Sequence, residues 1–333
     1  IKPGSLEAHA FSYLNYSEAA QKYGKVGGFA HLATLVKKVR AERGDGNSLL
    51  LDGGDTWQGS GTALWTRGMD MVGACNRLGV DIMTGHWEFT YQDEEVLKNI
   101  AAFKGEFVAQ NVMVKDDALF DYEFSDFEGF NEDSGHAFKP YTMRDMNGVR
   151  VAVIGQAFPY TPIANPSRFI PHWTFGIQDQ ALQELVDNIR DTEKPDLVVV
   201  ISHNGMDVDL KMASVVTGVD VILGGHTHDG MPAPSVIKNA SGVTLVTNAG
   251  SNGKFLGVLD LDVRGGKLVD FRYKLLPVFS NLIEPDKARD YPGGVVGGGP
   301  DIIADCDELR HGNIVGRYAQ VPMIGQRCAV AIK

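Results

Sequence analysis

No run of about 18 apolar residues, the length a membrane-crossing helix needs, occurs in the chain. Cysteine is scarce, and Cys75, Cys306 and Cys328 have no metal-binding or redox spacing. Cys75, inside the helical-looking "DMVGACNRLGV", reads as a small buried apolar residue. Positive charge is in deficit, with 31 Lys and Arg against 42 Asp and Glu and a net charge of −11. That balance argues against a nucleic-acid backbone as partner. The chain opens at Ile1 without a leader pattern, which says nothing about a leader upstream. No internal repeat or linker is visible before residue 280.

Glycine, by contrast, is abundant. The 39 glycines between short apolar runs, in 333 residues that are 44% apolar, suit an α/β protein with a substantial core and one or two domains. Periodicity predicts helices over 27–43, 63–79, 92–103 and 177–192, with a short one near 207–215. Strands are predicted over 48–55, 80–85, 106–112, 149–156, 195–205 and 219–230, followed by a β-rich stretch, 242–278, holding an "RGG" turn. The runs "LLLD", "VAVIG", "LVVVIS" and "VDVILGG" are apolar throughout, as strands covered on both faces are. The acidic stretch 115–135 carries five aromatics and reads as a structured surface insertion. Residues 281–333 start glycine-rich, lack clear periodicity and read as a linker or tail.

In an open α/β sheet, ligand-binding groups gather at the carboxyl ends of the strands. Here those ends carry Asp55 in "DGGDTWQGSG", His86 in "TGHWEFTYQDEE", His203 in "ISHNG", and His226 and His228 in "GGHTHDG". One carboxylate and four imidazoles are a donor set for Mn, Zn or Fe. The neighbouring glycines let the backbone bend sharply where an ion must approach. If the 226–228 segment is extended, both of its imidazoles face one side. Two metals about 3.5–4 Å apart would activate a bridging water and stabilise charge on the group under attack. His9, His31, His136, His172 and His311 have no such company and read as structural or surface residues.

The motifs "GDTWQG", "GHWEFT", "SHNG" and "GHTH" resemble those of the calcineurin-like metallophosphoesterases, in their 5′-nucleotidase branch. The resemblance covers roughly residues 25–280 and implies an αββα sandwich with a dinuclear metal centre. By that resemblance Asp55 bridges the metals, His203 and His226 complete one of them, and His228 binds the other. His86 stands where the family has an asparagine ligand. Trp87 and Thr90 stand where it has the His and Asp that assist phosphoryl transfer. Trp87 cannot move a proton, although its indole N–H can donate one hydrogen bond.

That substitution, with "GKVGGFAHLATLVKKVR" and "YTPIANP", resembles the SoxB thiosulfohydrolases of bacterial sulfur oxidation. Their likeness implies a periplasmic di-manganese enzyme, with Zn or Fe as other metals the donors admit. It would hydrolyse a cysteine S-thiosulfonate on the carrier SoxYZ and release sulfate. Asp55 and His86 would then be catalytic as well as ligating, with Trp87 and Asn204 as pocket walls or, equally, as packing around the metal shell. No "D-x-H" motif precedes Asp55, so the domain over 1–280 is expected to lack its first strand, and the family's C-terminal domain is expected to be absent too. One metal would then have a fairly full ligand set and the other only Asp55 and His228. A 5′-nucleotidase-like phosphoesterase and an inactive metal-binding fragment are the alternative readings.

Overall fold

A computed structural model describes residues 22, 24–44 and 46–286, and the backbone of 327–332. His9, His311 and Cys306, and nearly all of the glycine-rich stretch, lie outside the described residues.

The order of elements begins with helix α1 (Phe29–Arg43), strand β1 (Ser48–Asp52) and helices α2 (Gly61–Thr66) and α3 (Met69–Leu78). Next come β2 (Ile82–Met83), a 3₁₀ turn over Trp87–Tyr91, α4 (Asp93–Ala102), β3 (Glu106–Phe107) and β4 (Val112–Val114). A short α5 (Asp116–Leu119) opens the acidic insertion, which β5 (Tyr141–Met146) and β6 (Val149–Gln156) follow. Then come α6 (Thr161–Ala164), β7 (Trp173–Phe175), α7 (Asp179–Thr192), β8 (Leu197–Ser202), α8 (Met206–Val215) and β9 (Val221–Gly224). The described chain closes with β10 (Ser235–Asn239), β11 (Gly242–Asn248), β12 (Phe255–Arg264), β13 (Lys267–Pro277) and β14 (Arg327–Ile332).

Two six-stranded sheets result, in the orders β13-β12-β14-β1-β2-β3 and β10-β11-β9-β8-β6-β5. The four runs apolar throughout become β1, which pairs parallel with β2, and the parallel strands β6, β8 and β9, as burial on both faces requires. One face of each sheet meets the other sheet. Leu49, Leu51, Val151, Val153, Val199, Ile201, Leu223 and Leu259 form that shared layer. The outer faces are covered by helices, with Leu32, Val36, Val72 and Val96 over the first sheet and Leu182, Val186, Ile189 and Met212 over the second. Each fully buried aliphatic side chain contributes about 1.5–3 kcal/mol. The layers therefore read helix, sheet, sheet, helix, the expected αββα sandwich.

One device ties a helix to each sheet. Arg40 on α1 and the backbone N–H of Leu50 both donate to Asp81 Oδ2, at 2.6 and 2.7 Å. Arg190 on α7 and the N–H of Val198 donate to Asp220 Oδ2 at the same distances.

The structure departs from the predicted elements in specific places. The helix expected over 63–79 breaks at Arg67 and Gly68, both left-handed at φ 53° and 89°. A Cβ on Gly68 would lie 2.9 Å from the Tyr91 ring, so this left-handed position needs glycine. The strand expected over 80–85 keeps only β2, the two residues that pair with β1 on one side and β3 on the other. The strand expected over 106–112 divides into β3 and β4. Between them, Ala109 and Gln110 donate to the carbonyls of Lys139 and Gly155. Within the expected linker or tail, the backbone of 327–332 forms β14, antiparallel to β1 and parallel to β12.

Candidate metal centre

The site grows from the carboxyl ends of β1, β2, β8 and β9. β1 ends at Asp52, whose buried carboxylate accepts from the Gly54 N–H and the Thr56 hydroxyl. That closes the loop tightly. A Cβ on Gly54 (φ 95°) would meet the Thr84 carbonyl oxygen and the Gly85 Cα, both at 3.1 Å, so this position needs glycine. Asp55 follows at φ 64°, with its carboxylate turned inward and almost fully buried.

Glu88 holds this loop to the next. Its Oε1 accepts from the N–H groups of Thr56 (2.6 Å) and Trp57 (3.1 Å), and its Oε2 from those of His86 (2.8 Å) and Asp55 (3.2 Å). Burial pushes the Glu88 pKa up and the Asp55 charge adds to it, while the backbone donors pull it down. All four contacts are donated to Glu88, which leaves neither oxygen a place to carry a proton.

Four donors converge above that support. One ligand atom each from Asp55, His86, His203 and His226 lies within 4.8 Å of the others. His86 Nδ1 is 3.1 Å from Asp55 Oδ1 and 3.2 Å from His203 Nε2, which is itself 3.1 Å from Asp55 Oδ2. His203 Nδ1 meets the Gly53 carbonyl, which can only accept, so this nitrogen carries the proton. Its Nε2 faces the Asp55 carboxylate and the His86 Nδ1, a set of donor atoms that one divalent ion can share. His86 Nε2 is buried without a hydrogen-bond partner. The donor set therefore fits a divalent ion.

The electrostatics agree. Burial alone would raise the Asp55 pKa, but His203 and His86 override it and hold the carboxyl far below its usual range. Burial lowers His203, whereas the Asp55 carboxylate and the Gly53 carbonyl raise it, for a net rise. His226 is half-buried and pushed down to about 4 by burial and by the neighbouring His203 and His86. It takes the neutral form that a ligand must have.

The fifth predicted donor stands apart. His226 and His228 both have left-handed backbone, at φ 70° and 60°, so the segment is bent and not extended as the i, i+2 argument required. Among the described residues, no group of three or more donors includes His228, which is exposed. Trp87 lies flat against the His86 ring, 4.4 Å between centroids and 28° between planes, and its backbone N–H donates to Asp55 Oδ1. Thr90 bonds Asn165. Asn204 is buried, its amide engaged by Gln156 on one side and Asp209 on the other. It packs behind the ligand shell.

Sequence reasoning missed two supports. Phe158 packs against both His86 (4.0 Å) and His226 (4.2 Å), walling the two imidazoles. Glu88 could have been suspected as a charge set between Trp87 and Phe89, where solvated charges are uncommon.

Comparisons with known proteins find hydrolases of similar fold and sequence. No protein-family profile matches the chain. The sulfate thiohydrolase SoxB of Thermus thermophilus is similar at 31% identity and TM-score 0.74, over 86% of this chain and 49% of that one. A 5′-nucleotidase precursor, also from Thermus thermophilus, is 27% identical at TM-score 0.67, over 78% of this chain and 51% of the other. In sequence, the 5′-nucleotidase of Vibrio vulnificus is 28% identical over 286 residues, 77% of this chain and 48% of its own length. The chain thus spans about half the length of these relatives. Its fold is the metallophosphoesterase-like sandwich, and its similarity is to hydrolases of the 5′-nucleotidase and calcineurin-like superfamily.

Proposed function

We propose that this chain carries the metal centre of a SoxB-type thiosulfohydrolase, which cleaves a cysteine S-thiosulfonate on a SoxYZ-type carrier and releases sulfate. The observation that carries the reading is Trp87, stacked on the ligand His86 where a phosphoesterase of this branch would place a proton-transferring histidine. In the proposed reaction, water oxygen bonds to the sulfonate sulfur and the bond from that sulfur to the neighbouring sulfur breaks. Its electron pair leaves with the carrier persulfide, and the two protons of water go to solvent as sulfate forms. A persulfide is a far weaker base than the alkoxide that leaves a nucleotide, so it needs no acid beside it.

Each residue then has a task. Asp55, His86, His203 and His226 would hold a divalent ion, for which Mn, Zn and Fe all suit the donors. Such an ion, when bound, supplies Lewis-acid activation of water and neutralises charge on the sulfonate. Glu88 fixes the spacing of the Asp55 and His86 loops. Trp87 and Phe158 give the site apolar walls that exclude bulk water from the imidazoles. The resemblance assigns a second ion to Asp55 and His228, so the described residues would hold one ion strongly and a second only weakly. The periplasm is the compartment this reading implies.

A second reading, a 5′-nucleotidase-like phosphoesterase, is favoured by relatives such as the Vibrio vulnificus protein. The two separate on product. With Mn²⁺ supplied, the protein in its full reading frame is expected to release sulfate from a carrier peptide bearing a cysteine S-thiosulfonate and little phosphate from AMP. Phosphate release without sulfate would overturn the thiosulfohydrolase reading in favour of the nucleotidase. Neither product, with metal bound, would leave a metal-binding fragment without activity.

A further inference from the structure

We propose that Asp93, Glu123 and His172 form a second divalent-cation site, apart from the one above, that staples the acidic insertion to the body of the protein. One ligand atom from each of the three lies within 4.8 Å of the others. They come from three separate stretches: the first residue of α4, the middle of the insertion, and the segment that enters β7. His172 Nδ1 is 3.0 Å from Asp93 Oδ2, and His172 Nε2 is 3.8 Å from Glu123 Oε1.

One imidazole with two carboxylates is a donor set for a borderline ion such as Zn²⁺, with water completing the shell. Bonds of about 2.0–2.2 Å put two ligands of one ion up to about 4.4 Å apart, so only a small movement of a donor is needed. Glu123 can make it, since its side chain is 61% exposed. The charges also match: two carboxylates beside one imidazole offer the negative charge that a divalent ion cancels.

The imidazole is held in place before any ion arrives. The Tyr122 and Phe124 rings stand edge-on to it, both at 6.1 Å. The Trp173 indole N–H donates to the Tyr122 hydroxyl at 2.7 Å, and the Lys115 N–H donates to the His172 carbonyl at 2.8 Å. Both bonds tie the insertion to the same segment. His172, which the sequence suggested was a structural or surface residue, thus lies where the insertion and the body meet.

The test is Zn²⁺ titration of the whole chain, with metal stoichiometry and limited proteolysis of residues 115–135 as readouts. Unaltered protein is expected to bind one Zn²⁺ more than the Glu123→Gln and His172→Ala variants, or to bind that equivalent at least tenfold more tightly. Zn²⁺ should slow cleavage of the insertion in the unaltered protein and not in Glu123→Gln. Because Glu123 is exposed, its variant keeps the fold. An Asp55→Asn variant should retain this equivalent, which separates the two sites. Equal Zn²⁺ stoichiometry and affinity in the unaltered protein and both variants would overturn the proposal and leave His172 as an ion-pair partner of Asp93. So would proteolysis indifferent to Zn²⁺.

Discussion

Two buried carboxylates near the candidate metal centre, Glu88 in the 3₁₀ turn after β2 and Asp209 on α8, do different work. Glu88, behind the β1 and β2 loops, accepts four backbone N–H groups and uses both oxygens. Asp209, behind β8, accepts from the Ser202 hydroxyl (2.6 Å) and the Asn204 amide (3.2 Å) with one oxygen, while Oδ2 has no partner. Burial lifts Asp209 to about 7, against which those two bonds are a weak counterweight. The first-sheet half of the site is therefore locked by charge-assisted bonds to its own backbone. The second-sheet half rests on the Asp209 carboxyl and on His226, a half-buried candidate ligand with left-handed backbone. Such a backbone conformation is uncommon for a non-glycine residue and points to a position set by the site.

Breaking the locked half should cost most. Asp55→Asn removes the carboxylate shared by His86 and His203, and metal affinity is expected to fall by more than about 100-fold in isothermal titration, beyond the range for lost supporting partners. Glu88→Gln turns an amide NH2 toward two of the four N–H donors, while its carbonyl oxygen can still accept the other two. It should lower metal affinity about 10- to 100-fold and the unfolding free energy by about 1–3 kcal/mol in urea titration. An unchanged affinity would show that the two loops hold their spacing without it.

A smaller effect is expected where chemistry rather than support is altered. Trp87→His restores a proton carrier beside His86, and phosphate release from AMP should rise at least about tenfold, since general acid–base catalysis is worth about 10²–10⁴. No rise would count against the leaving-group argument. The mildest change is on the second sheet. Because the folded-state pKa of Asp209 lies above its unfolded value near 3.8, its contribution is complete below that value. It is lost progressively as pH rises toward about 7. Asp209→Asn should therefore flatten the fall of stability with pH across that window in thermal melts. A variant that keeps the full fall would place its origin elsewhere.

Much of the sandwich was legible in the sequence because its core strands are unbroken apolar runs, and only a doubly covered strand tolerates "LVVVIS" or "VAVIG". His86 and His203 were legible for a related reason, since polar residues ending such runs have few other places to go. The missed features depend on distant partners. The break at Gly68 goes with a left-handed backbone packed against the Tyr91 ring, and β14 is defined by pairing with β1 and β12, far away in the chain. Glu88 sits between Trp87 and Phe89, but the four N–H groups it accepts come from two loops far apart in the chain, which the local pattern does not record. The extended backbone that the His226–His228 alternation assumed is not found, since both residues are left-handed.

The most direct test of the metal centre is anomalous diffraction from crystals grown with Mn²⁺. The strongest ion peak is expected among Asp55, His86, His203 and His226, at ordinary bond lengths of about 2.0–2.3 Å. A strongest peak bound by His228 in place of one of these four, or no ion among them at all, would contradict the account.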